Sequence, residues 1–362
     1  MKNILKKFVI KFTLQTPPLM NNIKTNQEIY KKSSQSTILK HLNEDKEVLL
    51  NLNLEERSFG ELNTDKIFYV IKRTPGTGMF SNMTFVLNHL KICKKFNFIP
   101  VIDMENFPTI YNEEKACKNN KNAWNYYFES LNQISLDEVY KSKNVLITNN
   151  KFFPFFSYNI DKDKELSELL RNEIKLNKYL KRIYYKIYKN FKNKNILGIH
   201  FRGTSYKRSA GHPLPATKSQ MEVITNKFLN KKNIDYIFLV TEEKNYLDFF
   251  KKKYGDKLLY LESSYRSNKN DAFKIYPRNI HRYKLGREAV LEAMLLSSCK
   301  YFIYLCSNIS SASIGFNIEK NQERYEIDNG FNSKSVIYSQ FYWYIKKILP
   351  QSLGGFKKKD FI

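Results

Sequence analysis

The sequence predicts an α/β molecule: two Rossmann-like domains with mainly parallel sheets facing a cleft. Three observations predict it. Short apolar runs alternate with stretches of helical spacing along most of the chain, the pattern of parallel strands joined by helices. The runs are nearly continuous in apolar residues rather than alternating, as strands covered on both faces are. The chain has 362 residues, beyond the ~250–300 at which a single core stops growing.

The elements follow in order. Residues 1–64 form a polar, Asn- and Lys-rich N-terminal extension with weak helical periodicity over 27–54. Residues 66–72 (KIFYVIK) read as a buried strand, RTPGTG as a turn, 79–96 as a helix and 98–103 (FIPVID) as a second strand. That is a β-α-β unit with its glycine loop at the first strand's C-terminal end. Apolar pieces at 124–128, 145–148 and 152–156 complete this half. Residues 166–191 read as one long basic helix bridging the domains. A strand at 195–201 (NILGIHF) opens the second half. Thr217-x-x-Gln220 is a capping box before a helix to about 229. A strand at 235–240 follows, then a helix over 242–254 with Thr241 as N-cap and Gly255 closing it. Residues 257–261 read as a strand, 287–298 as a helix, and 301–305 as a strand running into CSNISSAS and a further helix start. The expected domains are 1–64, the extension; 65–190, a first Rossmann-like domain with the bridging helix; 191–335, a second Rossmann-like domain; and 336–362, a C-terminal helix and tail.

Composition excludes several classes. Hydrophobic residues make up 42% and aromatics 15%, too much for a disordered chain. Twelve Gly and ten Pro exclude collagen-like and Pro-rich fibres. Cys93, Cys117, Cys299 and Cys306 form no CxxC pair and no metal-ligand spacing, so a reducing cytoplasm is expected and no metal site. Apolar runs are strand-sized, short of the ~20 residues of a membrane-spanning helix. The N-terminus MKNILKKFVIKF lacks the long apolar core of a signal peptide; a frayed or simply packed terminus is the first reading, and peripheral contact with the anionic inner face of a membrane the second.

Net charge is +26, from 61 basic and 35 acidic residues. One reading is an anionic partner. The other is compositional: the excess is mostly Lys, frequent together with Asn, Ile, Phe and Tyr, all with AT-rich codons. Arginine is more informative, because its planar fork grips phosphate bidentately. Arg202, Arg208, Arg266, Arg278, Arg282 and Arg287 all fall in the second half.

Three polar clusters sit at three strand ends of that half. His200-Phe201-Arg202-Gly203-Thr204-Ser205-Tyr206 ends the first strand. An arginine there can neutralise a diphosphate, and Gly203 permits close approach. Thr241-Glu242-Glu243 follows the middle strand; its carboxylates can accept ribose hydroxyls or base N–H groups, or merely favour a helix start. Cys306-Ser307-Asn308-Ile309-Ser310-Ser311 follows the last strand, where hydroxyls and helix N–H groups form a phosphate cradle. Independent capping explains this coincidence poorly. In the first half, Gly76-Thr77-Gly78 with Phe80-Ser81-Asn82 lacks the Lys-Ser/Thr of a Walker loop, yet Gly78 and Asn82 stand between strand and helix, where a phosphate can be touched.

GIHFRGTSY, then TEE, then GREAVLEAMLLSSCKYFIYLCSNIS resemble the three motifs of the fucosyltransferase superfamily, which joins α1,6-fucosyltransferases, nodulation fucosyltransferases and protein O-fucosyltransferases. The resemblance covers residues 195–316 well and 66–103 more weakly, where Phe80-Ser81-Asn82 is similar to the family's glycine-rich loop. It implies a GT-B fold, a GDP-sugar donor (GDP-fucose by default) and inverting transfer to a glycan or lipid-linked glycan acceptor, with no metal or other cofactor. It implies that Arg202 holds the diphosphate, that His200 and Glu292 contact guanine, that Glu243 belongs to the acidic pair, and that Ser307 and Ser310 line the phosphate loop. A carboxylate suits guanine's N1–H and N2–H₂ donor pair.

The chain departs from that pattern. Where α1,6-fucosyltransferases read R-R-T-D-K, it reads Arg202-Gly203-Thr204-Ser205-Tyr206, and no carboxylate lies between Tyr206 and Pro215. Candidates for the base that deprotonates the acceptor are His212, in G-H-P-L-P, and Asp103 and Glu105, after a first-half strand. Asp161-Lys162-Asp163 matches a metal-binding D-x-D but enters a helix, so helix-start acids are the better account. The expectation is therefore a cytoplasmic GDP-sugar glycosyltransferase of surface polysaccharide synthesis. Two alternatives stand beside it: a basic nucleic-acid-binding protein, for which no RRM, zinc-finger or helix-turn-helix signature appears, and a catalytically inactive GDP-sugar-binding module.

Overall fold

The computed structural model describes residues 26–31, 33–41, 46–317 and 321–356. The basic N-terminal segment 1–12 lies outside the described residues. The chain forms two compact units, each with one mainly parallel five-stranded sheet. One unit takes the chain to Phe156 together with Phe273–Gly286; the other takes Ser157–Ala272 and the chain from Arg287.

The first sheet has the order β1-β2-β5-β3-β4, with β1 Ser34–Gln35, β2 Glu55–Ser58, β3 Phe68–Ile71, β4 Ile99–Ile102 and β5 Val145–Ile147. β3 pairs parallel with β4, Phe68 against Ile99, and with β5, Phe68 against Val145. β1 and β2 add on antiparallel. Phe68, Val70, Val101, Phe107, Val139, Val145 and Ile147 pack one face. The Met79–Phe96 helix buries residues all round, including Thr84, Asn88 and His89. Such a helix belongs to an interior. Its polar members reach partners nearby: Thr84 donates to Phe80 O at 2.7 Å, Asn88 to Thr84 O at 2.8 Å, and His89 Nδ1 shares a hydrogen bond with Tyr69 OH at 2.9 Å, while the buried His89 Nε2 makes no hydrogen bond among the described residues.

The second sheet is parallel throughout, in the order β10-β9-β6-β7-β8. Its strands are β6 Ile196–His200, β7 Tyr236–Val240, β8 Leu258–Leu259, β9 Tyr301–Tyr304 and β10 Glu323–Glu326. The chain lays β6, β7 and β8 to one side, then returns to place β9 and β10 on the other. The order therefore reverses between β6 and β9, and ligands of open parallel sheets bind at such a point, beyond the strands' carboxyl ends. Leu197, Ile199, Ile237, Leu239, Tyr301 and Ile303 give the sheet its core face, packed by Met221, Ile224, Leu247 and Phe250 from two covering helices. A Cβ at Gly198 would press on Cys299 Sγ at 3.0 Å and Leu296 Cδ2 at 3.1 Å, so the glycine lets the His281–Ser297 helix and Cys299 just beyond it pack close on β6.

Several elements differ from the sequence expectation. The stretch 166–191 is two helices, Lys164–Glu173 and Lys178–Tyr188. Ile174 turns extended and buried, and Asn177 caps the second helix, accepting from Leu180 N–H at 2.9 Å. The helix expected from residue 242 starts at Lys244, with Glu243 as N-cap; Thr241 Oγ1 instead accepts from Glu243 N–H at 3.2 Å. The helix expected at 287–298 runs His281–Ser297. The apolar piece at 124–128 lies in and just after a 3-10 turn, Ala123–Tyr126. The capping box forms as expected, Thr217 accepting from Gln220 N–H and Gln220 from Thr217 N–H.

Candidate active site

Three polar segments meet at the carboxyl ends of β6, β7 and β9. His200 is the last residue of β6 and is buried. Its Nδ1 lies 2.7 Å from Ser310 Oγ and 3.3 Å from Ser307 Oγ, and the two hydroxyls are 3.0 Å apart. Ser307 also caps the Asn308–Phe316 helix, accepting from Ser310 N–H at 3.2 Å. The first turn of that helix is thus tied to the tip of the neighbouring strand. Burial, with the Arg202 charge adding to it, lowers the His200 pKa to about 3, so its imidazole is neutral at any physiological pH.

Arg202 is half-buried, its guanidinium stacked 4.5 Å over the Tyr206 ring. Nε stands 3.6 Å from Glu242 Oε1, and Nη2 donates to Ser205 Oγ at 3.4 Å. Glu242 accepts from Gly203 N–H at 3.0 Å and from the Thr204 hydroxyl at 2.8 Å. Its burial favours the neutral acid, but the Arg202 charge and the Gly203 N–H outweigh that and hold its pKa below the ordinary carboxylate value. Glu243 accepts from Thr204 N–H at 3.0 Å and pairs with Lys207 Nζ at 2.6 Å. The acidic pair therefore clamps the loop after β6. Gly203 leaves room for this clamp, since a Cβ would overlap Glu243 Oε2 and press on Tyr246 at 2.9 Å, so one of them would have to shift.

Glu292 stands on the His281–Ser297 helix and is buried. Ser264 Oγ donates to its Oε1 at 2.6 Å, and Arg266 Nη2 lies 3.6 Å from the same oxygen. Burial raises its pKa to about 7; Arg266 and Ser264 oppose the rise, while Glu288 and Glu242 add to it. Arg266 Nη1 is spent on the carbonyls of Leu261 and Ser264, at 2.9 and 3.0 Å. Among the described residues, its buried Nε and Nη2 make no hydrogen bond.

His212 is half-buried, 5.0 Å from the Tyr206 ring, with burial and then Arg202 lowering its pKa. Its loop is pinned by backbone bonds: Leu214 N–H to Gly330 O at 2.8 Å, and Asn332 N–H to His212 O at 2.8 Å. Ser311 is committed to Asp161, donating to its carboxylate and accepting from its backbone N–H. Asp163, the other acid of the D-x-D, caps the Lys164–Glu173 helix through Leu166 N–H at 3.1 Å. Among the described residues, no cluster of three ligand-type side chains stands ready for a metal.

The remaining candidates belong to the first unit. Asp103 is buried and its oxygens accept from Tyr140 OH at 2.6 Å, Asn106 Nδ2 at 2.9 Å, and the N–H groups of Glu105 and Asn106. Burial still raises its pKa. Glu105 instead lines a cavity of about 390 Å³ with Asn122, Asn125, Ser130 and Asn132; burial, then Asp103, raises its pKa. Gly78 precedes the Met79–Phe96 helix. Asn82 braces the glycine loop, accepting from Thr77 N–H at 2.9 Å and donating to Thr77 O at 3.3 Å.

The structure thus joins His200, Arg202, Gly203, Glu242, Glu243, Ser307, Asn308 and Ser310 in one strand-end assembly. Sequence reasoning missed Lys207 and Ser264 as partners in the site, and named Tyr206 only as part of the arginine loop, not as the ring under Arg202. Lys207 carried a signal: it lies one 3-10 turn beyond the arginine loop, placing a cation opposite the acidic pair.

No family model matches the chain, and no curated protein matches it. Solved structures do. The chain is similar to the NodZ α1,6-fucosyltransferase co-crystallised with GDP, at 15% identity, covering 73% of this chain and 96% of that one, with a TM-score of 0.49. It is similar to fucosyltransferase NodZ from Bradyrhizobium at 15% identity, covering 68% and 92%, with a TM-score of 0.45. It is also similar to POFUT1 in complex with GDP at 9% identity, covering 73% and 99%, with a TM-score of 0.45. At such identities and TM-scores the roles of the site residues follow from this chain's own chemistry.

Proposed function

We propose that the chain is a glycosyltransferase of GT-B type that takes a sugar from a GDP-sugar, fucose by default, and passes it to an acceptor hydroxyl. The observation that carries this reading is the convergence of Arg202, His200 and the Ser307–Ser310 turn at the point where the order of a parallel sheet reverses. The second unit would be the donor domain and the first the acceptor side.

In this reading the diphosphate lies across Arg202 and the N-terminal turn of the Asn308–Phe316 helix. The acceptor oxygen attacks the anomeric carbon, the bond to the diphosphate breaks, and negative charge grows on GDP. The arginine, the helix N–H groups and the serine hydroxyls stabilise that charge, a task for which preorganised donors suffice. Glu292 would accept from guanine N1–H and N2–H₂, with Arg266 holding it. Glu105 is the favoured base among the three candidates, because Asp103 spends its oxygens on its own loop and His212 is anchored in a backbone-pinned turn.

The test is incubation of the purified protein with GDP-fucose, GDP-mannose and UDP-glucose, with and without lipid and glycan extracts, following nucleotide diphosphate release. The reading expects release from a GDP-sugar alone, stimulated by an acceptor. GDP binding with no release from any sugar nucleotide would favour the inactive module.

A further inference from the structure

The Val336–Ile348 helix turns an apolar side outward. At 100° per residue, Ile337, Tyr338, Phe341, Ile345 and Ile348 share one face, with exposures of 58%, 73%, 62%, 46% and 78%. The opposite side is already used. Ser339 and Trp343 are buried, Trp343 packs with Leu214 and Phe356, and its Nε1 donates to Pro215 O at 2.7 Å. Docking of the helix onto the fold therefore leaves the outer strip unexplained, and a contiguous apolar strip marks an interaction surface.

The charge around it indicates what the strip meets. Lys346 Nζ lies 5.6 Å from the Tyr342 ring, Lys347 Nζ 5.6 Å from the Trp343 ring, and the Arg208 guanidinium 5.6 Å from the Tyr344 ring. Residues 329–359 contain six lysines and no acidic residue. Aliphatic and Phe side chains outermost, tyrosines at the flanks and cations behind them are the order of chemistry met on entering a bilayer from water. A second copy seated on this face by two-fold symmetry would bring like charges together.

We propose that this helix docks the protein on an anionic lipid bilayer. It lies in the headgroup plane, with Ile337, Phe341, Ile345 and Ile348 at the acyl boundary and Lys346 and Lys347 on the phosphates. The consequence reaches the candidate site through contacts within the same unit. Lys207, the partner of Glu243, sits 5.1 Å from the Trp343 ring, and Gln340 donates to Arg208 O at 3.2 Å. Docking would hold the Arg202 loop near the lipid surface, where a lipid-linked acceptor is presented. That consequence rests on the proposed function; the docking itself does not.

The experiment is vesicle flotation of the full chain with phosphatidylcholine alone and with phosphatidylcholine–phosphatidylglycerol mixtures. The wild type should float with the anionic vesicles and not with the neutral ones. The Phe341→Ser/Ile345→Ser double variant should need about tenfold more lipid or worse, with its circular dichroism and melting temperature unchanged. A Phe341→Trp variant should have its added emission quenched by brominated lipid. The proposal is overturned if the double variant binds like the wild type, if the new tryptophan is unquenched on bound vesicles, or if the wild type ignores anionic lipid. A dimer that the double variant converts to monomer would assign the strip to a second copy instead.

Discussion

At the scale of single residues, Arg202 and Glu292 carry the testable chemistry. If Arg202 stabilises charge on a departing diphosphate, Arg202→Ala should slow donor turnover about a hundredfold or more, and Arg202→Lys should restore little, because an ammonium lacks the fork. Steady-state kinetics on the best GDP-sugar checks both. Glu292 gives a pH signature. Its folded pKa of about 7 lies above the ordinary ~4.3, so the folded state holds more protons between those values and this residue's contribution to stability falls as pH rises. Glu292→Gln should flatten that slope in thermal melts taken from pH 4.5 to 7.5. GDP, by contrast, needs the carboxylate, so its affinity should weaken about tenfold from pH 8 to pH 6 as the ionised fraction falls. Calorimetric titration should find that dependence in the wild type and lose it in Glu292→Gln. The arginine was legible in the sequence because it directly follows an apolar strand. Ser264 was not, because its bond to Glu292 joins residues 28 apart across a polar loop.

Elements supply a matched pair of controls. Ser307 and Thr217 both cap helices through a side-chain oxygen. Loss of either cap should cost about 1 kcal/mol of stability. Only Ser307 also touches His200, so Ser307→Ala should weaken GDP binding while Thr217→Ala leaves it alone; paired melting and binding curves read both effects. Element-level sequence reading succeeded where an apolar run ended in a polar cluster, as at β6, β7 and β9, since burial of the run and exposure of its tip are both written in composition. It failed at the edge strand β10, whose Glu323-Arg324-Tyr325-Glu326 is mostly exposed and carries no apolar run. It failed again at the break between Lys164–Glu173 and Lys178–Tyr188, where good helix formers continue and the Asn177 cap, with Ile174 tucked into the core, decides the outcome.

For the whole molecule, the question is whether the +26 charge or a built site governs binding. Non-specific polynucleotide binding should fall steeply with salt, because each neutralised phosphate releases counterions. A nucleotide held by one arginine, a helix start and a buried carboxylate should depend on salt far less. Binding curves for GDP and for a single-stranded oligonucleotide, taken across a salt series, separate the two. The sequence made the parallel sheets legible, because their strands are continuously apolar. The outward apolar face of Val336–Ile348 was not legible, because sequence alone does not say which side of an apolar helix meets the core.

The most direct measurement is the melting temperature of the purified protein with GDP, UDP, CMP and ADP at moderate salt. A ligand present at one hundred times its dissociation constant adds about 2.7 kcal/mol of stability. GDP should give a shift that the other three do not match and that Arg202→Ala abolishes. Equal small shifts with all four, unchanged in the variant, would contradict it and leave the strand-end assembly as the scaffold of a basic protein that binds anions generally.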